Sequence, residues 1–364
     1  MHPKWALQHD KIVPLMSLLP LIYDFDRPDL LALLKDWGEP DYRVRQLWQG
    51  LYGRFWRSPD EFVNLPAALR ARLGQEVRLE ALQPLKALTS SDGQTVKTLF
   101  RLHDGHAIEA VLMRYERRQT LCISTQAGCA MGCVFCATGQ MGFKRHLSAG
   151  EIIAQVLYYA RLLQAEKKNV TNIVLMGMGE PFHNYDNTMK AIDRLNDSDG
   201  YNFGARRFTI STVGLVPLIR RFASEKRQVN LAVSLHAADD ILRSSMMPIN
   251  KTYPVDEVLA ACRDYVRQTG RRITFEWALI HNVNDTPEQA RLLAKKLKGL
   301  LCHVNAIPLN PTTGYAGQPT GRARAAEFKT LLEQAGIPCT IRMRRGIDIQ
   351  AGCGQLASTS SQDK

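Results

Sequence analysis

Thr120-Leu121-Cys122-Ile123-Ser124-Thr125-Gln126-Ala127-Gly128-Cys129-Ala130-Met131-Gly132-Cys133-Val134-Phe135-Cys136 places three cysteines at a C-x3-C-x2-C spacing directly after an apolar run. Residues 120–124 read as a strand, and the glycine-flanked cysteines as the loop that leaves it. Similar short apolar runs recur at 172–176, 207–212, 230–235, 273–279 and 303–309, each followed by a helical pattern. One helix is announced by the capping box Ser148-Ala149-Gly150-Glu151, others by Pro254 and by Asp285-Thr286-Pro287. Six strand–helix units in succession predict an α/β fold with a parallel sheet, either doubly wound or an incomplete barrel. In both architectures ligands bind at the carboxyl ends of the strands, where the cysteine loop lies.

Upstream the pattern changes. Residues 95–102 and 107–113 read as further strands, and residues up to about 83 as helical. Pro28 starts a helix with Leu30, Leu31, Leu33 and Leu34 on its stripe. A second helix is expected from Asp41, with Val44, Leu47, Trp48, Leu51, Phe55 and Trp56 at intervals of three and four. Arg43, Arg45, Arg54 and Arg57 are interleaved with these aromatics. That arrangement suits nucleic acid, or else an amphipathic helix whose aromatics are core and whose arginines face water. The expected organisation is a helical accessory domain over 1–83 that binds RNA, a β extension over 84–114, a core over 115–345, and a terminal segment over 346–364 that ends in a frayed tail from residue 358.

Of the 364 residues, 45% are hydrophobic and 23% charged, which is ordinary globular composition. Lys and Arg number 47 against 35 Asp and Glu, and the net charge of +12 favours a polyanionic partner. No apolar run is long enough to cross a membrane; the longest, 12–23, is broken by Pro14 and Pro20. His9, Asp10 and Lys11 interrupt any secretory leader, so a cytoplasmic location with reduced thiols is expected. Three thiols this close then read as metal ligands. Structural zinc would call for a second C-x2-C pair or matching histidines; there is no second pair, and His146 is poorly spaced. Three thiolates would leave one iron of a [4Fe–4S] cluster open to a substrate.

The triad, with Gly177-Met178-Gly179-Glu180-Pro181 after the second strand, resembles the radical S-adenosylmethionine (SAM) superfamily. Gly346-Ile347-Asp348-Ile349-Gln350-Ala351-Gly352-Cys353-Gly354-Gln355-Leu356 is similar to the cysteine-bearing terminal motif of the RlmN/Cfr methyltransferases, which modify an adenosine of RNA. Leu231-Ala232-Val233-Ser234-Leu235-His236-Ala237 and Ile307-Pro308-Leu309-Asn310-Pro311 look like their strands too, and the likeness covers nearly the whole chain. One departure stands out: relatives often carry Asp-Ala-Ala-Cys where this chain has Gln350-Ala351-Gly352-Cys353.

The resemblance implies a radical SAM partial (β/α)6 barrel holding a [4Fe–4S] cluster on Cys129, Cys133 and Cys136. It implies SAM bound by Gly179, Glu180, Ser211, Ser234, Leu235, His236 and Asn310, most of which follow predicted strand ends. Cys353 would accept a methyl group from one SAM, and a radical from a second SAM would activate it for addition to the adenine ring. Cys122 would resolve the adduct through a transient disulfide. Glu109 matches the family's proton acceptor, but a carboxylate on an apolar strand equally reads as an ion-pair partner. The implied substrates are 23S ribosomal RNA and tRNA, methylated at carbon 2 of adenine, with carbon 8 as the Cfr-type alternative. A flavodoxin or ferredoxin would donate electrons to a monomer with no membrane association. A non-catalytic zinc module that binds RNA is the reading from another class. Cys262, Cys302 and Cys339 read as core. Arg114, Arg117 and Arg118, Lys144 and Arg145, and Arg342, Arg344 and Arg345 are expected to ring the site and meet phosphates. Arg220, Arg221, Lys226 and Arg227 read as solvated charge on an outer helix.

Overall fold

In the computed structural model, which describes residues 19–357, the apolar runs become strands of one sheet. In chain order they are β1 (Gln83–Thr89), β2 (Thr95–Arg101), β3 (Ala107–Arg114), β4 (Gln119–Cys122), β5 (Gln126–Gly128), β6 (Phe143–His146), β7 (Asn172–Leu175), β8 (Phe208–Thr212), β9 (Asn230–Ser234), β10 (Ile273–Leu279), β11 (Cys302–Pro308) and β12 (Cys339–Ile341). β5 and β6 form a separate hairpin; the other ten lie side by side in sequence order. Every pairing from β4 to β12 is parallel. Helices between successive strands supply the long crossovers that parallel pairing requires. The sheet is the expected partial barrel with its helices outside.

All six expected strand–helix units are present, and β12 adds a seventh parallel strand beside β11, with Ala306 opposite Ile341. This strand has only three residues, too short for its apolar pattern to register against the flanking helix. It delivers the chain to the mouth of the barrel, where the Cys353 segment begins. β1, β2 and β3 extend the sheet antiparallel, and Val111 on β3 faces Cys122 on β4.

Before the sheet, helices span Arg27–Asp36, Tyr42–Trp48 and Ala67–Glu76. Asp26 and Asp29 form a reciprocal capping box around Pro28, and Leu30 and Leu34 are buried. The second helix does not reach Trp56 as expected. It passes into a π-helical turn over Gln49–Gly53 and stops. The Trp56 ring presses on Gly50, where a Cβ would lie 2.5 Å from it, and Trp56 N–H donates to the Gly50 carbonyl at 2.9 Å. The glycine therefore lets the chain fold back, and Trp56 meets Phe62 edge-on with ring centres 5.0 Å apart. Trp48 is buried against Tyr52, so the central aromatics of this stripe are core and its arginines lie outside. Cys262, Cys302 and Cys339 are buried as expected. The expected frayed tail from residue 358, and the stretch before residue 19, lie outside the described residues.

The helical region is fastened to the barrel by charge. Asp24 accepts from Gly150 N–H at the start of the helix Ala149–Ala165. Arg27 pairs with Asp197 at 2.7 Å and Asp199 at 2.9 Å. Arg194, buried on the helix Tyr185–Asn196, donates to the carbonyls of Tyr23 and Asp24. Removing its guanidinium leaves two carbonyls without donors, each costing roughly 1–3 kcal/mol when buried. Arg194→Ala is expected to destabilise the protein by about 2–4 kcal/mol and to expose the first helices to limited proteolysis. An unchanged melting curve and digestion pattern would contradict this attachment.

Candidate active site

The cysteine loop is held by its own backbone. Gly128 has φ +73, and a Cβ there would strike the Gly142 carbonyl at 1.9 Å, so only glycine permits this approach. Cys129 N–H donates to the Gly142 carbonyl at 3.0 Å, and Val134 N–H to the Met246 carbonyl at 3.0 Å. Cys129, Cys133 and Cys136 thereby line one open cavity at the carboxyl end of the parallel strands. Gly179, Glu180, Ser211, Ser234, His236 and Asn310 line it too, as does Cys353. Leu235 differs: its side chain is fully buried in the core and only its neighbours face the cavity. It follows the end of β9, where its N–H donates to the Glu276 carbonyl at 3.1 Å.

Burial governs the electrostatics here. It pushes the Cys129 thiol up to about 12, and raises Cys133 and Cys136 as well, so these become ligands when a metal's charge replaces the proton. Among the described residues, no three His, Cys, Asp or Glu side chains are gathered closely enough for a single metal ion. A cubane holds its thiolates on separate irons, farther apart than one ion would. Three thiols without a fourth protein ligand match a [4Fe–4S] cluster with one open corner, whereas structural zinc takes four protein ligands.

Glu180 follows Gly179, whose φ of +96 and contact with Gln126 exclude a side chain. Its carboxylate accepts from Phe182 N–H at 3.0 Å and Val213 N–H at 2.9 Å, yet burial still lifts it to about 7. His236 sits in the left-handed region at φ +59, and its Nδ1 accepts from Ala278 N–H at 2.9 Å. Burial, aided by Arg243, drives its pKa down to about 3, so the ring is neutral and its Nε2–H is free to donate. Asn310 donates to the Cys353 carbonyl at 3.0 Å, while its buried Oδ1 has no partner and remains an acceptor. Neutral donors, an acceptor and the Glu180 carboxylate suit an amino acid bearing a nucleoside.

Cys353 also lines a second, smaller cavity, together with Cys122, Val111, Met176, Asn310 and Arg342. The Cys353 residue is exposed at the cavity mouth, whereas Cys122 is buried. The surrounding protein raises both thiols, Cys122 to about 12, and the Arg342 guanidinium opposes both shifts. Gly352 explains part of the departure in the terminal motif. A Cβ there would come within 2.6 Å of the Asn310 amide and 2.8 Å of Gln355 Oε1, so glycine lets both side chains close on the loop. Gln350 adopts φ +52 where relatives often carry Asp, a residue that tolerates this region better.

Glu109 lines neither cavity. It pairs with Lys97 at 2.9 Å in a nearly buried ion pair and accepts from Ala357 N–H at 3.1 Å. Two expected phosphate contacts are likewise occupied. Arg114 is bidentate to Glu166, and Arg145 is bound by Glu151 and Asp104. Arg342 lies inside the second cavity, not on its rim. Glu276 was not singled out from sequence. It is a buried carboxyl raised to about 7, accepts from Asn305 at 2.6 Å and lines the first cavity. An acidic residue inside the apolar run 273–279 was the available signal.

A partial barrel with three such thiols and a Gly-Glu turn at its mouth defines a radical SAM enzyme. Residues 123–294 match the Radical SAM superfamily model, and residues 21–79 match that of the ribosomal RNA large subunit methyltransferase N-terminal domain. The chain is 52% identical over 338 residues to "Dual-specificity RNA methyltransferase RlmN 1" of Myxococcus xanthus, covering 93% of this chain and 94% of that one. It is 48% identical to the probable dual-specificity RNA methyltransferase RlmN of Chloroflexus aurantiacus, covering 93% of each. A crystal structure of a radical SAM methyltransferase from Sphaerobacter thermophilus superposes with a TM-score of 0.92 at 50% identity, over 93% of this chain and all of that one. The chain belongs to the RlmN family of radical SAM RNA methyltransferases.

If Glu180 receives the ammonium of SAM, only its ionised form attracts that cation. Affinity of the cluster-loaded protein for SAM is then expected to hold above pH ~7 and to fall about tenfold per unit below it. Equilibrium binding across pH measures this, with Glu180→Gln expected to flatten the profile. A flat profile in the unsubstituted protein would contradict the assignment.

Proposed function

We propose that this enzyme methylates carbon 2 of an adenosine in 23S ribosomal RNA and of an adenosine beside the anticodon of tRNA, with Cys353 as the methyl carrier. The observation that carries this reading is the position of Cys353, which lines both cavities. The lining of one suits SAM, and the other opens beside Cys122, where the base would enter. The family model for large-subunit ribosomal RNA and the relatives' dual-specificity name support the two substrates.

Adenine carbon 2 is not a nucleophile, so it cannot take a methyl group from a sulfonium by displacement, whereas a thiolate can. Arg342 favours the Cys353 thiolate that performs this displacement. When bound on Cys129, Cys133 and Cys136, the cluster supplies the electron that cleaves a second SAM. Glu180 orients SAM through its ammonium, with Ser211, Ser234, His236 and Asn310 on its remaining polar groups, while Leu235 contributes backbone alone. The methyl carbon on Cys353, once activated, joins the adenine ring in the second cavity. The adduct would return one electron to the oxidised cluster and give its ring proton to the Cys122 thiolate. The Cys122 sulfur then bonds to the Cys353 sulfur, the carbon–sulfur bond breaks, and that proton passes to the freed methylene carbon to complete the methyl group. Taking the ring proton requires Cys122 as the thiolate, the form that Arg342 favours against burial, while Glu109 is held by Lys97 and Ala357 and lines neither cavity.

The helical region over 1–83 serves as the RNA-binding accessory domain, 84–114 as the β extension, 115–345 as the catalytic core and 346–364 as the terminal segment with the carrier. A flavodoxin or ferredoxin supplies electrons to a cytoplasmic monomer. Among the described residues no helix is long and apolar enough to cross a membrane.

Nucleoside mass spectrometry tests the proposal, after anaerobic incubation of reconstituted protein with SAM, a reductant and unmodified 23S RNA or tRNA. The expected product is 2-methyladenosine from both RNAs; 8-methyladenosine would overturn the position, and no methylated adenosine would overturn the substrate. Cys353→Ala is expected to abolish the product while iron and sulfide content stay unchanged. Cys122→Ala is expected to leave RNA covalently attached to Cys353, visible as a shifted band, and its absence would remove Cys122 from the resolving role.

A further inference from the structure

The mouth of the second cavity carries groups that the chemistry above does not use. Between β3 and β4 the chain turns at residues 115–118, closed by Tyr115 N–H donating to the Arg118 carbonyl at 2.7 Å. The guanidinium carbons of Arg118 and Arg345 lie 4.5 and 4.4 Å from the Tyr115 ring centre. Arg345 comes from the segment between β12 and Cys353, so this stack joins the two walls of the cavity mouth. Arg345 is further steadied by Gln94 Oε1. Unlike Arg114 and Arg145, the arginines at 118, 344 and 345 face no carboxylate within ion-pair distance among the described residues. Their charge is available for a polyanion.

Met343 stands on the same wall. It lines the cavity and yet is 80% exposed, an apolar side chain projecting among unpaired cations. A base that reacts at Cys353 must leave its stack, and proteins that distort a nucleic acid commonly fill the resulting gap with an apolar wedge such as methionine. An aromatic ring next to the gap can stack on the neighbouring base, and arginines beside it can meet the phosphates.

We propose that Met343 enters the RNA stack where the target adenine leaves it, and that the stack of Tyr115 with Arg118 and Arg345 receives the adjoining nucleotide. The inference rests on the RNA reading above and names the residues that extrude and flank the base. Met343 and Tyr115 are positioning residues: neither reaches the carbon that is methylated.

The test uses the full-length, cluster-loaded enzyme and a 23S hairpin with 2-aminopurine at the target position. Its fluorescence rises when that base unstacks. With Met343→Ala the rise is expected to shrink several-fold, and Met343→Leu should restore it. Tyr115→Ala is expected to weaken binding about tenfold, the size of one lost stacking contact, while Tyr115→Phe should bind normally. Arg118→Ala should lower the slope of log affinity against log salt by about one, and Arg220→Ala on the outer helix should leave all readings unchanged. Methylation of Cys353, which consumes SAM alone, is followed by peptide mass in every variant and separates the two hypotheses. If the unsubstituted enzyme binds and flips the hairpin and the Met343 and Tyr115 variants do so equally well, the rim assignment is overturned by itself. If the unsubstituted enzyme methylates Cys353 but binds neither ribosomal nor transfer RNA, the functional reading falls and takes the rim with it.

Discussion

The arrangement depends on the fastening of the terminal loop to the cysteine loop. Ala137 N–H donates to the Gly354 carbonyl at 2.7 Å, and the Thr138 hydroxyl to the Leu356 carbonyl at 2.6 Å. From the opposite side Asn310 donates to the Cys353 carbonyl at 3.0 Å. These bonds set Cys353 between its flanks, so one sulfur is accessible from the three-cysteine cavity and from the cavity containing Cys122. A methyl carrier, the role proposed for Cys353, must meet its donor and its acceptor in turn, and this residue lines both cavities. Gly352 matters for the same reason, since a side chain there would intrude on the Asn310 amide.

The cavity walls are organised around a buried cation. Arg243 is fully buried and donates to the carbonyls of Val213, Ser234, Leu235 and Tyr253 and to Asn250 Oδ1. It thus holds the ends of β8 and β9 together, beneath the residues assigned to SAM. Burial lowers its own pKa to about 10, and its charge helps keep His236 neutral. Glu180 and Glu276, both raised to about 7, face the same space. A bound ammonium would tip Glu180 towards its ionised form.

Much of this was legible in the sequence because the signals were local. Six apolar runs followed by helical periodicity dictate parallel strands, and the strand-end rule places the cysteine loop, Glu180, Ser211, Ser234 and Asn310 on one face. The terminal motif marked Cys353. What escaped was tertiary. The three residues of β12 carry too little pattern, and the stop after Trp48 depends on Trp56 folding onto Gly50. The partners of Glu109, Arg114 and Arg145 come from distant elements, so their engagement is invisible in sequence. Glu276 and Arg243 read as ordinary charged residues until the barrel encloses them.

The most direct measurement of the central claim is a single-turnover isotope transfer. Enzyme whose Cys353 has been loaded from SAM with a deuterated methyl group would be freed of that SAM. It would then be given RNA, reductant and unlabelled SAM. If Cys353 carries the methyl group between the cavities, the first modified adenosine contains the deuterated carbon and the peptide loses it in equal amount. Unlabelled methyladenosine formed while Cys353 keeps its deuterated methyl would contradict the account.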